Sequence, residues 1–269
     1  MILSMKPVLV LMAPGYEEIE LIAPIDILRR LEIPVVTAGV KSRSVEGAHG
    51  ITTMAEMLMV DVNPEDYSGI ILPGGPASWL LRDTPGVLSL VRAMHAEGKL
   101  VAAICAAPIA LEAAGVLDNT VIVLTADHYP NGLTAEEMGE LLGHTPEGNF
   151  EIYRNGCIIW KQGMTPETID EPMSHLDLLP TVSNLFGLEF DSRLYMGRDV
   201  FSDAEPLVMF RNRSWITADA RYNSQTGKAE FFSGAESDTY VKSIKAEVGN
   251  RFAVSTRILD NDYWRIHVQ

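Results

Sequence analysis

One cysteine of this sequence lies where its side chain could act as a nucleophile. Cys105 sits between Val101–Ile104, an apolar run that predicts a strand, and Pro108–Ala114, which predicts a helix. The small residues around the cysteine permit a tight turn between the two elements. A thiol in that turn faces the positive end of the helix dipole, which favours the reactive thiolate. The alternative is a buried and inert cysteine, which is what most isolated cysteines are.

Two other groups of residues follow predicted strands and are expected near the same edge. Gly74 and Gly75 come directly after Ile70–Leu72, and their backbone N–H groups can approach a bound anion closely. Three glutamates in the run GYEEIE follow the first predicted strand, Val8–Met12. Ligands of open parallel sheets bind at the carboxyl ends of the strands. The alternative for the glutamates is a solvated helix N-terminus, which the dipole favours.

A third group has the residue types of a metal site. Asp127 and His128 end the apolar run Val121–Thr125, and both side chains are metal ligands. They predict a divalent metal, Mn, Ca or Zn, although two ligands do not complete a site, since zinc takes three or four and calcium six to eight. The alternative is a loop turn with a surface histidine.

The elements that must position these residues alternate along residues 1–118. Short apolar runs separated by helical patterns predict an α/β fold, a parallel sheet with helices on both faces. The predicted helices cover Ile19–Leu31, Val87–Ala96 and Pro108–Ala114. The stretch from Val45 to Met54 alternates weakly and predicts a hairpin or an edge pair.

The pattern changes in residues 119–269. We expect Val121–Thr125 to extend the first sheet as a further strand, through a βαβ crossover. A capping box at Thr134 predicts a helix to Leu142, and Leu207–Phe210 with Trp215–Thr217 predicts a hairpin. The other predicted elements are strands at Ile152–Tyr153 and Ile158–Trp160, a helix over His175–Phe186, and two polar helices near Asp238–Glu247 and Phe252–Leu259.

Residues 7–118 resemble the ThiJ/PfpI family, whose fold is flavodoxin-like and glutamine amidotransferase-like. The matching stretches are VLVLMAPGYEEIELIAPIDILRR, GIILPGGPASWLL and LVAAICAAPIALEAAGVL. The resemblance implies that Cys105 is the nucleophile, that Glu20 lies against its thiol, and that Gly74 and Gly75 line an anion pocket. Ala106 follows the cysteine where the peptidase-like branch has histidine. This implies the branch linked to methylglyoxal detoxification, deglycation and oxidative-stress sensing, with Ala106 in the anion pocket.

Residues from about 116 to 269 resemble the C-terminal part of sulfatases and lipoteichoic-acid-synthase-like enzymes of the alkaline phosphatase superfamily. The matching pieces are LDNTVIVLTADHYPNGL, MSHLDLLPTVSNLFGLEFDSRLYMGRDVF and PLVMFRNRSWIT. This resemblance implies that Asp127 and His128 are the metal-binding pair of a partial alkaline-phosphatase-like α/β part. The nucleophile and the early acidic ligand of that superfamily lie upstream of the matched region, and this chain has no counterpart of them.

Both resemblances meet at Ala114–Asn119, so we interpret the chain as a hybrid of two partial families. The sequence leaves open whether the hybrid is natural, an assembly error or engineered. The first resemblance predicts a cysteine-dependent hydrolase or lyase, or a redox sensor, weakened by the missing last third of its fold and needing no cofactor. The alternatives are a metal-dependent sulfatase- or phosphotransferase-like protein without its nucleophile, and an inactive fusion product.

Charge and composition limit the partners. The chain has 21 Lys and Arg against 36 Asp and Glu, a net charge of −15, which repels nucleic acid. It has two cysteines, which favours a reducing compartment, and no apolar run long enough for a membrane span. We therefore expect a cytoplasmic protein with a small-molecule substrate, and the first resemblance implies a homodimer.

Overall fold

The fold was determined as a computed structural model that describes residues 5–126, 132–146, 149–234, 236–263 and 266. The chain divides after Thr165 into two compact units. Among the helices in these described ranges, none is both long and apolar enough to cross a bilayer.

The first unit is built on a parallel sheet. Its elements are β1 (Val8–Met12), α1 (Glu18–Arg30), β2 (Val35–Gly39), β3 (Ser44–Glu46), β4 (Thr52–Met54), β5 (Met57–Leu58), β6 (Gly69–Leu72), α2 (Ala77–Asp83), α3 (Pro85–Ala96), β7 (Leu100–Ala103), α4 (Pro108–Ala114), β8 (Val121–Thr125), α5 (Ala135–Leu142), α6 (Asn149–Ile152) and β9 (Cys157–Lys161). The strand order is β5-β2-β1-β6-β7, and every pairing in this sheet is parallel. The predicted α/β class with a parallel sheet is confirmed.

The central strand β1 shows that the sheet is covered on both sides. All five of its residues are buried, and successive side chains of a strand point to opposite faces. Helix α1 packs on β1 and β2, while α3 packs on β6 and β7. The buried core of this unit extends from Leu9 to Val116. The strands therefore read as continuous apolar runs, as buried parallel strands do.

The position of β8 contradicts the sequence-based expectation. Instead of extending the parallel sheet beside β7, β8 pairs antiparallel with β9, from Val121 opposite Lys161 to Thr125 opposite Cys157. An apolar run predicts a strand but does not specify its partner, and β9 offers a match over all five residues. A second expectation was also wrong, since Ile152 ends the helix α6 and is not part of a strand. The predicted β3–β4 hairpin is confirmed.

The second unit is a small antiparallel sheet with one long helix. Its elements are α7 (Leu178–Leu185), β10 (Val208–Met209), β11 (Trp215–Ile216), β12 (Ala220–Asn223), β13 (Lys228–Phe231) and α8 (Asp238–Asp260), and the strands pair in sequence order. The fully buried Trp215 stacks on Tyr222 at 5.6 Å between ring centroids. Helix α8 replaces the two predicted helices, because its buried Val248 packs into this core and the helix continues through Gly249.

Candidate functional site

The backbone at Cys105 forms the turn that the sequence predicts. The residue lies between β7 and α4 with φ of +60°, and its side chain is exposed. A non-glycine residue in this left-handed region is strained, and such residues cluster at functional sites. The cysteine is thus presented at the carboxyl end of β7, open to solvent.

Gly74 is packed against Cys105 so closely that only glycine fits there. A Cβ on Gly74 would lie 2.5 Å from Cys105 Cβ, 2.6 Å from Glu20 Oε2 and 2.8 Å from the carbonyl oxygen of Ile104. The loop after β6 therefore touches both the cysteine and the glutamate. The structure brings together the three residues that the sequence placed at separate strand ends.

Glu20 is fixed to this loop by a hydrogen bond. The half-buried Glu20, in the first turn of α1, accepts the backbone N–H of Gly74 on Oε2 at 2.9 Å, and the N–H of Glu17 donates to the carbonyl oxygen of Gly74 at 3.2 Å. In the described ranges no hydrogen bond joins the Glu20 carboxyl to the Cys105 thiol. The second oxygen of Glu20 also has no partner there, so it is available to a ligand.

Gly75 and Ala106 supply backbone N–H groups beside these side chains. Gly75 has φ of +76°, and a Cβ on it would lie 2.7 Å from the backbone N of Glu17 and 2.7 Å from the carbonyl oxygen of Gly15. Within the described part of the chain, neither N–H donates a hydrogen bond. Backbone N–H groups without a protein partner are the kind of donor that an anion pocket uses.

Glu18 lies apart from Glu20 and has a different partner. It is buried and accepts both the backbone N–H and the ring nitrogen Nδ1 of His49, each at 2.8 Å. Burial raises the pKa of Glu18, but the hydrogen bonds from His49 outweigh it and lower that pKa to about 2. The hydrogen bond to Glu18 and the charges of Glu17 and Glu18 raise the pKa of His49. Sequence reasoning missed His49, because its partner is 31 residues away.

Two sets of residues in this chain have side chains that can bind a metal ion. Asp127 and His128 lie outside the described residues, so the metal pair stays a prediction. Among the residues that the structure does describe, one group could hold a metal ion, namely Glu17, Glu18 and His49, whose ligand atoms lie within 4.8 Å of one another. That group does not belong to the sulfatase-like part of the sequence.

Comparisons with known proteins find two families along the chain. Residues 6–126 match the DJ-1/PfpI family, and residues 109–188 match the sulfatase family. The two matches share residues 109–126, and the join expected at Ala114–Asn119 lies inside this shared stretch.

Individual relatives come from both families. A deglycase from Pyrococcus abyssi is 36% identical over 110 residues, which are 41% of this chain and 66% of that protein. The lipoteichoic acid synthase-like protein YvgJ of Bacillus subtilis is 32% identical over 162 residues, 56% of this chain and 26% of that protein. The structure of oxidized DJ-1 from Toxoplasma gondii is 38% identical, with a TM-score of 0.40, and covers 41% of this chain and 62% of that one.

The chain thus spans 66% of the length of the deglycase and about a quarter of the length of YvgJ. Both resemblances noted in the sequence are confirmed by these matches. The cysteine turn and the loop of Gly74 lie in the first matched region, and both strands of the antiparallel β8–β9 pair lie in the second. The N-terminal part of this chain therefore matches the DJ-1/PfpI family, and an overlapping stretch after it matches part of the sulfatase family.

Proposed function

We propose that the N-terminal domain is a cysteine-dependent enzyme for small reactive carbonyls or glycated groups, with Cys105 as its nucleophile. The observation that carries this proposal is the exposed thiol at positive φ, with Gly74 packed between it and Glu20. A deglycase from Pyrococcus abyssi is among the proteins similar to this chain, which supports the choice of substrate class. We propose further roles for Glu20, Gly75 and Ala106 in the same reaction.

The proposed reaction begins with attack by Cys105 Sγ on the aldehyde carbon of a 2-oxoaldehyde. A C–S bond forms, the π electron pair of the carbonyl moves to its oxygen, and that oxygen takes a proton to give a hemithioacetal. Moving the carbon-1 proton to carbon 2, and the hydroxyl proton to the carbon-2 oxygen, gives a thioester. Water then cleaves the C–S bond, which releases a 2-hydroxy acid and restores the thiol.

Glu20 and the backbone N–H groups provide proton transfer and stabilisation of negative charge. The oxygen of Glu20 that has no partner in the described ranges is the acid–base group for the proton transfers. The N–H groups of Gly75 and Ala106 stabilise the negative charge that develops on the carbonyl oxygen. No step requires a cofactor.

A redox role uses the same exposed thiol. Attack of Cys105 Sγ on a peroxide breaks the O–O bond, oxidises the sulfur to a sulfenic acid and releases water or an alcohol. Cys157 is the natural comparison within the chain, because burial raises its pKa and disfavours its thiolate. We expect peroxide to oxidise Cys105 before Cys157.

The test is methylglyoxal consumption with lactate as the measured product. We expect Cys105→Ser to abolish turnover and Glu20→Gln to lower kcat by about a hundredfold, which is the smaller end of general acid–base effects. Cys157→Ser is the matched control and retains full turnover. Unchanged lactate formation in Cys105→Ser rules out the thiol mechanism.

The sulfatase match at residues 109–188 favours a second candidate function. In this alternative, Asp127 and His128 hold a divalent metal, Mn, Ca or Zn, that promotes hydrolysis or transfer of phosphate or sulfate esters. The measurement is manganese-stimulated hydrolysis of nitrophenyl esters, which His128→Ala should remove. Hydrolysis that persists in His128→Ala assigns the activity to another site.

The proposal also includes the setting of the enzyme. We place the chain in the cytoplasm because its described cysteines are free thiols, and we expect no nucleic-acid partner because its charge of −15 repels one. The homodimer is what the ThiJ/PfpI resemblance implies, and the small-molecule substrate follows from the proposed reaction. Sedimentation of the purified chain tests the dimer, and cell fractionation tests the location.

A further inference from the structure

A small cavity of about 110 Å³ lies in the second unit. Three parts of that unit line it, namely the turn between β10 and β11, the end of β12, and helix α8. The lining residues are Arg213, Tyr222, Ser224, Lys245, Val248 and Gly249. Sites for drug-sized molecules measure about 300–1,000 Å³, so the occupant of this cavity is smaller than such a molecule.

The charged groups around this cavity are all positive. Arg213 and Lys245 line it, and no carboxylate does. Within the described part of the chain neither of these two residues forms an ion pair. Other arginines of the same unit do, since Arg193, Arg221 and Arg251 each have a carboxylate oxygen at 2.6 or 2.7 Å. The chain has 36 acidic residues, yet the two cations at the cavity have no acidic partner among the described residues.

Both cations are held in place by aromatic side chains. The guanidinium carbon of Arg213 lies 4.0 Å from the ring centroid of Phe252. The Nζ of Lys245 donates a hydrogen bond to the hydroxyl oxygen of the buried Tyr222 at 3.2 Å. The O–H of Tyr222 has no acceptor among the described residues, so it can donate to a ligand. Three side chains therefore offer hydrogen-bond donors to one small cavity.

These donors define the charge and shape of the occupant. Two positive groups around one cavity repel each other, and an anion between them replaces this repulsion with attraction. The planar fork of an arginine matches two oxygens of a phosphate or sulfate group, while a lysine adds a compact charge for a third oxygen. A tetrahedral oxyanion has enough oxygens for both cations and the tyrosine.

We propose that this cavity binds a tetrahedral oxyanion, phosphate or sulfate, through Arg213, Lys245 and the hydroxyl group of Tyr222. The site belongs to the second unit and does not depend on the proposed reaction of Cys105. The net charge of −15 opposes general attraction of anions, so binding requires these local donors.

The test is calorimetric titration of the full chain with inorganic phosphate and with sulfate, at an ionic strength held constant with sodium chloride. We expect saturable binding of both anions. Lys245→Gln and Arg213→Gly should each weaken it on the order of tenfold, because each removes hydrogen bonds to a charged group. Glycine readily adopts the φ of +69° at position 213, so this variant keeps the turn.

Two matched variants control for the loss of a positive charge. Lys242→Gln lies on the same helix and Arg211→Gly in the same turn, and neither residue lines the cavity. Both controls should bind phosphate as the unaltered chain does. Methyl phosphate distinguishes a free anion from the head of an ester. Equal affinity for methyl phosphate supports an ester whose remainder lies in solvent, and affinity at least tenfold weaker supports enclosure of the free anion.

Two results overturn the proposal. If the controls weaken phosphate binding as much as Lys245→Gln and Arg213→Gly do, the attraction is general and not local to the cavity. If phosphate binds but neither cavity variant changes its affinity, the anion occupies another part of the chain. Absence of any saturable binding of phosphate or sulfate overturns the proposal as well.

Discussion

The substitution Gly74→Ala adds one methyl group to the most crowded point of the candidate site. The new Cβ would lie 2.5 Å from Cys105 Cβ and 2.6 Å from Glu20 Oε2. Carbon atoms normally approach no closer than about 3.5 Å, so the cysteine and the loop must separate by about 1 Å. The third neighbour is the backbone oxygen of Ile104, which cannot rotate away as a side chain could.

This displacement has two measurable effects. A shift of about 1 Å at a reacting group lowers catalysis on the order of a hundredfold, because the attacking atom leaves its productive position. Overpacking of a tight contact lowers the free energy of unfolding by about 1–3 kcal/mol. We therefore expect Gly74→Ala to lose kcat/KM for methylglyoxal about a hundredfold while the protein still folds.

The assay combines lactate formation with urea unfolding, and Gly249→Ala is its control. A Cβ on Gly249 meets no atom within 4 Å, and the residue lies in the interior of α8. This control should keep full turnover and gain about 1 kcal/mol in unfolding free energy from helix propensity. If Gly74→Ala retains turnover within threefold of the unaltered chain, the close packing of the loop against Cys105 is refuted.

Three other outcomes follow from named contacts. The pKa of Glu18 falls from 4.5 to about 2 on folding, so its hydrogen bonds with His49 stabilise the chain above pH 4.5 and lose that effect as pH falls toward 2. The unfolding free energies of the unaltered chain and of Glu18→Gln should therefore converge on acidification. A difference between the two that stays constant with pH contradicts this. Burial raises the pKa of the Cys157 thiol, so its alkylation by iodoacetamide should level off at a higher pH in the folded chain than in urea, and the same pH profile in both states contradicts burial. Trp215→Ala removes a fully buried ring stacked on Tyr222 and should destabilise the second unit by about 3–5 kcal/mol in urea, and a loss below 1 kcal/mol indicates that this core is not formed.

Much of the first unit could be predicted because its signals are local. Buried parallel strands read as apolar runs, so β1 is visible in VLVLM, and the small residues around Cys105 indicate the tight turn. The helix α5 begins with the capping box that Thr134 predicts. The roles expected for Cys105, Glu20 and Gly74 rest on the family resemblance. The close contacts of Gly74 with Cys105 and Glu20 are visible only in the structure.

The missed features depend on distant partners. The hydrogen bonds of Glu18 with His49 join residues that no short sequence pattern connects. Strand β8 pairs with β9 and not with the edge of the parallel sheet. The interior of α8 contains Gly249, which weakens a helix pattern, yet burial of Val248 holds the helix continuous. In each case a tertiary contact decided between alternatives that the local sequence leaves nearly equal.

The core of the first unit has a consequence for the order of events during protein synthesis. Its buried residues, from Leu9 to Val116, have all been translated before the ribosome reaches Val121. Domains generally fold as units while the chain is still growing, N-terminal first, at about 5–20 residues per second. The parallel sheet with its cysteine turn can therefore close before most of the sulfatase-like region exists, so a nascent chain stalled after residue 165 should already resist proteolysis from Leu9 to Val116.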